Sequence, residues 1–175
     1  MSGTFRLLVT GSRGWDADTL TPDGHTIADV LDGIAASTAR AGFDSLTVVH
    51  GACPKGADAV ADAWCRNRSR RGWPVLVDRH PADWKRNGRG AGMVRNLRMV
   101  NLGADMCAAF ILNGSAGATH CADAAEGAGM YVQRFHVSTA QPLPDFDGTD
   151  VSAAALRADT ISHSPNQTTA QEAHA

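Results

Sequence analysis

Arg95 and Asn96 stand side by side shortly before an apolar run, Met106 to Leu112, which ends in the glycine turn Asn113-Gly114-Ser115-Ala116-Gly117-Ala118-Thr119. A guanidinium group can grip a phosphate or carboxylate through two parallel hydrogen bonds. A glycine turn that opens a helix lets backbone N–H groups approach an anion at the positive end of the helix dipole. Two more such turns follow apolar runs: Gly11-Ser12-Arg13-Gly14-Trp15, which carries its own arginine, and Gly51-Ala52-Cys53-Pro54-Lys55-Gly56, which leads into Ala57-Asp58. Residues of these types, repeated in this pattern, point to recognition of a phosphorylated, nucleotide-like ligand.

The elements that must position them are legible from periodicity. Phe5–Thr10 is a short, partly β-branched apolar run and reads as the first strand. Thr21-Pro22-Asp23 can cap a first amphipathic helix in which Ile27, Val30, Leu31, Ile34 and Ala35 recur at helical spacing. Leu46–Val49 is the second strand, and Ala57, Val60, Ala61, Trp64 and Cys65 form the inner face of a second helix. Pro74–Val77 gives a third strand, followed by a loop from His80 to Asn87 and a helix from about Gly90 to Leu102. Met106–Leu112 is apolar throughout, as suits a central strand buried on both faces. Ala118, Cys121, Ala122 and Ala125 line the next helix, and Tyr131–Val137 is the fifth strand. Strands alternating with helices predict an α/β fold: a Rossmann-like three-layer sandwich on a five-stranded, mostly parallel sheet with right-handed crossovers. Loops leaving the carboxyl ends of parallel strands converge on one edge, where ligands bind, and all three glycine turns leave strand ends of that kind.

Several familiar sites are disfavoured. The turn at Gly51–Asp58 has the look of a P-loop, but Ala57-Asp58 stands where the phosphate-reaching lysine and the magnesium-binding hydroxyl belong. Asp58 instead suits either a helix cap or an acceptor for a ribose hydroxyl. A standard NAD site needs GxGxxG after the first strand and an acid at the end of the second, and that strand ends in His50-Gly51. His50, Cys53, His80, His120 and Cys121 fall near loop edges, yet their spacings match no common zinc pattern, so neither a metal nor a cofactor is expected. Cys53 as a nucleophile has only sequence neighbours, His50 and Lys55, to activate it. Arg66, Arg68, Arg70 and Arg71 lie near a helix C-terminus, where cations offset the dipole, and a structural or solubilising duty is expected there.

Composition narrows the class further. The 175 residues suit one domain, residues 1–138, with a polar tail, 139–175, in which Val151 to Asp159 could form a turn or two of helix. Charge divides the same way: fifteen bases against thirteen acids up to residue 137, then one base against five acids. A net charge of −2 lacks the positive excess of a dedicated nucleic-acid binder. No apolar run approaches the roughly 20 residues that span a bilayer, and no secretory pattern opens the chain, so a cytoplasmic location with reduced thiols at Cys53, Cys65, Cys107 and Cys121 is expected.

Taken in order, Val9-Thr10-Gly11-Ser12-Arg13, Gly51-Ala52 with Gly56-Ala57-Asp58, Ala82-Asp83-Trp84, Arg95-Asn96 with Met99, and Gly114 to Thr119 resemble the SLOG superfamily, in particular its YspA-like branch, over about residues 5–137. The resemblance implies a Rossmannoid domain that binds a nucleotide or nucleotide-derived ligand, often as a homodimer. It implies ligand contacts from Gly11, Ser12, Arg13, Gly51, Gly56, Asp58, Arg95, Asn96, Gly114, Ser115, Gly117 and Thr119. The related LOG phosphoribohydrolases release a base from a nucleoside monophosphate, using an arginine that Arg95 matches and a glutamate just after the glycine turn. That glutamate has no match here: His120 and Cys121 stand near its place, and Asp123 and Glu126 lie a turn or more beyond. Three classes follow: a nucleotide sensor or sequestering protein; a nucleoside-monophosphate hydrolase using Arg95 with Asp123 or Glu126; and, less favoured, a single-strand DNA-handling protein, whose binding would weaken steeply with salt.

Overall fold

The computed structural model describes residues 3–139; the expectations for the tail lie outside the described residues. The elements run β1 (Thr4–Gly11), α1 (Ile27–Arg40), β2 (Ser45–His50), α2 (Ala57–Arg70), β3 (Val75–Arg79), α3 (Trp84–Asn87), α4 (Ala91–Asn101), β4 (Met106–Leu112), α5 (Ala116–Gly127) and β5 (Tyr131–Val137). All strand pairs are parallel, in the order β3-β2-β1-β4-β5. The chain builds outward from β1 to β3, then returns to the other side of β1 with β4. The carboxyl ends of β1 and β4 therefore flank the point where strand order reverses, the crevice in which open α/β sheets bind ligands.

Both faces of the sheet are covered, which is why its central strands can be apolar throughout. On one face Leu7, Val9, Val48 and Phe110 pack with Ile27 and Leu31 of α1 and Ala61 and Trp64 of α2. Trp15, fully buried in the long β1–α1 connection, extends that layer by meeting Phe110 edge-on, and Phe110 stacks on Phe135 of β5 at 4.9 Å. On the other face Leu8, Val49 and Cys107 meet Met99 and Val100 of α4 and Cys121 and Ala125 of α5. Burial pushes the Cys65 and Cys107 thiols up to about 12 and raises Cys121 as well, so these three behave as small apolar groups.

Two local expectations are corrected. The cap of α1 is Thr26, not the Thr21–Asp23 stretch: Thr26 accepts from the Asp29 N–H at 3.2 Å while the Asp29 carboxylate accepts from the Thr26 N–H at 2.9 Å, a reciprocal capping box. Thr21 instead closes a turn, its carbonyl accepting from Gly24 and its hydroxyl from the His25 N–H. The second correction is in the stretch from His80 to Asn87, which is not all loop. Asp83 accepts from the Arg86 N–H at 3.0 Å and starts the single turn α3, which a 3-10 turn over Gly88–Gly90 joins to α4.

Two of the arginines on α2 are tied to neighbouring side chains. Arg68 lies 4.8 Å from the Trp73 ring and 5.8 Å from the Trp64 ring and pairs with Asp32, while Arg66 pairs with Asp62. No helix among the described residues is long and apolar enough to cross a membrane.

Candidate functional site

At the carboxyl edge of the sheet the ends of β1, β2 and β4 and the start of α4 surround a cleft of about 350 Å³. Of the residues singled out from the sequence, Gly11, Arg13, Gly51, Asp58, Arg95, Asn96, Ser115 and Gly117 line it. The two arginines, 82 positions apart in the chain, face one space.

Arg95 is held rather than free. Its Nε donates to Asn96 Oδ1 at 2.8 Å, and Nη1 donates to the Gly51 carbonyl and, at 3.4 Å, to that of His80. The guanidinium lies directly over Gly51, in the space a side chain there would fill. Nη2 has no hydrogen-bond partner among the described residues. Asn96, buried inside α4, also donates to the Gly117 carbonyl at 3.2 Å, so one amide ties the arginine to the first turn of α5. That turn carries no side-chain cap, and the N–H groups at its start have no partner within the helix. Arg13 has the opposite character: it is exposed, and its guanidinium lies 5.8 Å from the centre of the Trp84 ring.

Asp58 is the one carboxylate of the cleft. It does not cap α2, whose N-cap is Gly56; its Oδ2 accepts the Cys53 N–H at 3.1 Å and lies 3.7 Å from Arg95 Nη1. Burial raises its pKa above the ordinary 3.8, an effect that the Cys53 N–H and Arg95 only partly offset. A carboxyl whose pKa is higher folded than unfolded stabilises the fold only when protonated. Its contribution is therefore greatest below pH 3.8 and is lost as pH rises through the folded value. Asp58→Asn is accordingly expected to raise the melting temperature at pH 7, with the difference from the native chain closing as pH falls towards 3.8. A melting series against pH checks this, and a lower melting temperature at pH 7 would count against it.

His50 sits behind this rim, buried at 1% exposure. Its Nδ1 accepts the Ala52 N–H at 3.1 Å, which puts the proton of the neutral ring on Nε2, 3.2 Å from Asp62 but off the line of a hydrogen bond. Burial lowers its pKa and keeps it neutral. Ala52 itself adopts a φ of 54°, a left-handed conformation costly for alanine, which turns the β2–α2 loop around this histidine.

Four residues expected at the ligand are not among those that line the cleft. Ser12 is buried, and its Oγ accepts the Leu112 N–H at 2.8 Å, fastening the turn after β1 to the end of β4. Gly56, with a φ of 78°, lets α2 begin against the backbone of Ser12 and Arg13. Gly114 shapes the turn after β4 with a φ of 64°. Thr119 lies in α5 away from the cleft lining.

Asp123 and Glu126, the carboxylates named as candidate catalytic residues, lie outside the cleft lining. Both are exposed and engage Arg134 of β5, at 3.0 and 2.9 Å. The buried face of α5 is Ala118, Cys121, Ala122 and Ala125, so positions 123 and 126 point elsewhere on the helix. Conversely, Trp84, Arg89, Met93 and Cys53 line the cleft without having been singled out as ligand contacts. Its place in the Ala82-Asp83-Trp84 motif was the available signal for Trp84. Among the described residues no group of three His, Cys, Asp or Glu is placed to hold a metal ion.

Fold and cleft together define a Rossmann-like protein with a basic, glycine-walled crevice at the switch point of its sheet. The chain belongs to the YspA, cpYpsA-related SLOG family, whose model matches residues 5–87. It is 40% identical over 130 residues to the Gene 61 protein of Mycobacterium phage D29, an alignment covering 74% of this chain and 95% of that protein. Among solved structures, the C-terminal domain of the PF1911 hydrogenase from Pyrococcus furiosus matches at 12% identity with a TM-score of 0.37, over 75% of this chain and 91% of that one. At that score the match bears on neither fold nor function.

Proposed function

We propose that the chain binds a nucleotide or nucleotide-derived phosphorylated ligand in the cleft at the carboxyl edge of its sheet, as a sensor or sequestering protein. The observation that carries this reading is that Arg13 and Arg95 line one cleft together with the uncapped start of α5. Three guanidinium groups, counting Arg89, surround a space whose single carboxylate, Asp58, is itself biased towards its neutral form. An anionic guest neutralises that excess. Family membership supports a nucleotide-related ligand.

Titration of the purified chain with a panel of nucleoside monophosphates, followed by calorimetry, tests the reading. Arg13→Ala is expected to weaken binding about tenfold or more, the size of one charge-assisted hydrogen bond of roughly 1.5–3 kcal/mol. Because Arg13 is exposed, its melting temperature should not move. Unchanged affinity in Arg13→Ala would remove it from the cradle, and absence of binding across the panel would remove the reading itself.

A second reading, N-glycosidic hydrolysis, is favoured by one observation: a carboxyl with a raised pKa, Asp58, lies on the cleft wall beside Arg95. Such a group suits proton donation to a departing base. Chromatography of the same mixtures for free base, compared between the native chain and Asp58→Asn, separates the two readings.

A further inference from the structure

The crevice does not end at Arg95. A second hollow of about 430 Å³ continues beyond it, and the two share Arg13, Gly51, Cys53, Trp84 and Arg95. Each compartment alone has a volume within the roughly 300–1,000 Å³ range of small-molecule sites. The cations are placed unevenly. Arg13 and Arg95 border both hollows; Arg89 borders only the first, and Lys55 only the second. The first compartment adds Asp58, Asn96 and the start of α5, whereas the second is walled by Ala52, Pro54, Pro81 and Ala82 and is the more apolar of the two.

A mononucleotide carries its charge at one end and would occupy one compartment, leaving the other filled with water. The shared guanidinium pair instead marks the middle of a longer space. A guest matched to it has an anionic centre and an uncharged arm on either side. Trp84 belongs to the same waist: its ring is half exposed and borders both compartments, offering a flat surface to an aromatic arm.

Resting on the reading of the cleft as a nucleotide site, we propose that its ligand is two-armed: two nucleoside units joined through a pyrophosphate bridge that lies between Arg13 and Arg95. One arm occupies the hollow beside Asp58 and Asn96, where a ribose hydroxyl finds an acceptor. The other lies against Trp84 and the proline-lined wall, which offers shape and apolar surface more than hydrogen bonds.

The test compares two probes on the full chain by calorimetry, adenosine 5′-monophosphate and the symmetrical compound of two adenosines bridged by pyrophosphate, with the guanosine and uridine pairs run alongside. The bridged compound of the preferred base is expected to bind at least tenfold more tightly than its monophosphate. Ala82→Trp, which fills the second hollow from a loop position, is expected to weaken the bridged compound at least tenfold more than the monophosphate. Equal affinities for the two probes would overturn the two-armed ligand and leave the nucleotide site standing. Equal weakening of both by Ala82→Trp would also overturn it, and failure of every probe would remove the site and this inference together. Should Ala82→Trp melt below the native chain, the comparison of probes on the native chain decides alone.

Discussion

Gly56→Ala should lower the stability of the domain by on the order of 3 kcal/mol or more, read as a fall in the urea midpoint without a change in slope. Two separate costs combine. The backbone at Gly56 has φ 78° and ψ −158°, a region open essentially to glycine alone, and an alanine held there costs roughly 1–3 kcal/mol. The added methyl would also press on the Ser12 carbonyl and on Arg13 Cα at 2.5 Å, which are backbone atoms with no rotamer to change. Forcing such an overpacked contact typically costs about 1–3 kcal/mol. Relief would require α2 to back away from the turn after β1, which carries Arg13, so ligand affinity should fall along with stability. A Gly56→Ala chain that melts with the native protein would mean that α2 does not start where it is described.

Arg95→Ala should have the largest effect on binding and, unlike Arg13→Ala, should also destabilise the chain. Loss of the free Nη2 donor removes a charge-assisted hydrogen bond, about 1.5–3 kcal/mol or roughly a ten- to hundredfold loss in affinity. The stability cost comes from what the side chain leaves behind: the Gly51 carbonyl and Asn96 Oδ1 lose a donor, and the buried Asp58 loses its nearest cation. Unsatisfied buried groups cost about 1–3 kcal/mol each. The pairing with Asp58 makes this separable. In Arg95→Ala combined with Asp58→Asn, stability should return in part, because no buried charge is left unpaired, while binding stays lost. Strict additivity of the two stability changes would show that Arg95 and Asp58 do not interact. Calorimetry and denaturant titration on the same four proteins supply both readings.

The reach of the sequence can be traced through particular residues. Met106–Leu112 and Tyr131–Val137 were legible to the residue, because an apolar run bounded by turns leaves little choice of period. The convergence of Gly11, Arg13, Gly51, Arg95 and Ser115 was legible because parallel strands send all their carboxyl ends to one edge. What α3 contributes was not. A helix of four residues has too few turns for periodicity to show, so Trp84 looked like a loop residue although it walls the cleft. Ser12 and Gly56 were recognised as turn residues, and the structure sets them against backbone rather than in the cleft lining. Whether a turn residue meets a ligand or another backbone depends on how closely α2 approaches β1, and no local pattern records that distance. Asp123 and Glu126 differ, since the small-residue face of α5, already visible in the sequence, leaves them outside the cleft.

The four thiols have a practical consequence. Cys65, Cys107 and Cys121 are shut inside the two layers of core with their ionisation suppressed, while Cys53 borders the crevice and is partly open to solvent. The native chain thus already carries a single addressable attachment point at the mouth of its own pocket. A dye or spin label placed there would report directly on what enters, with no cysteine engineered in or out.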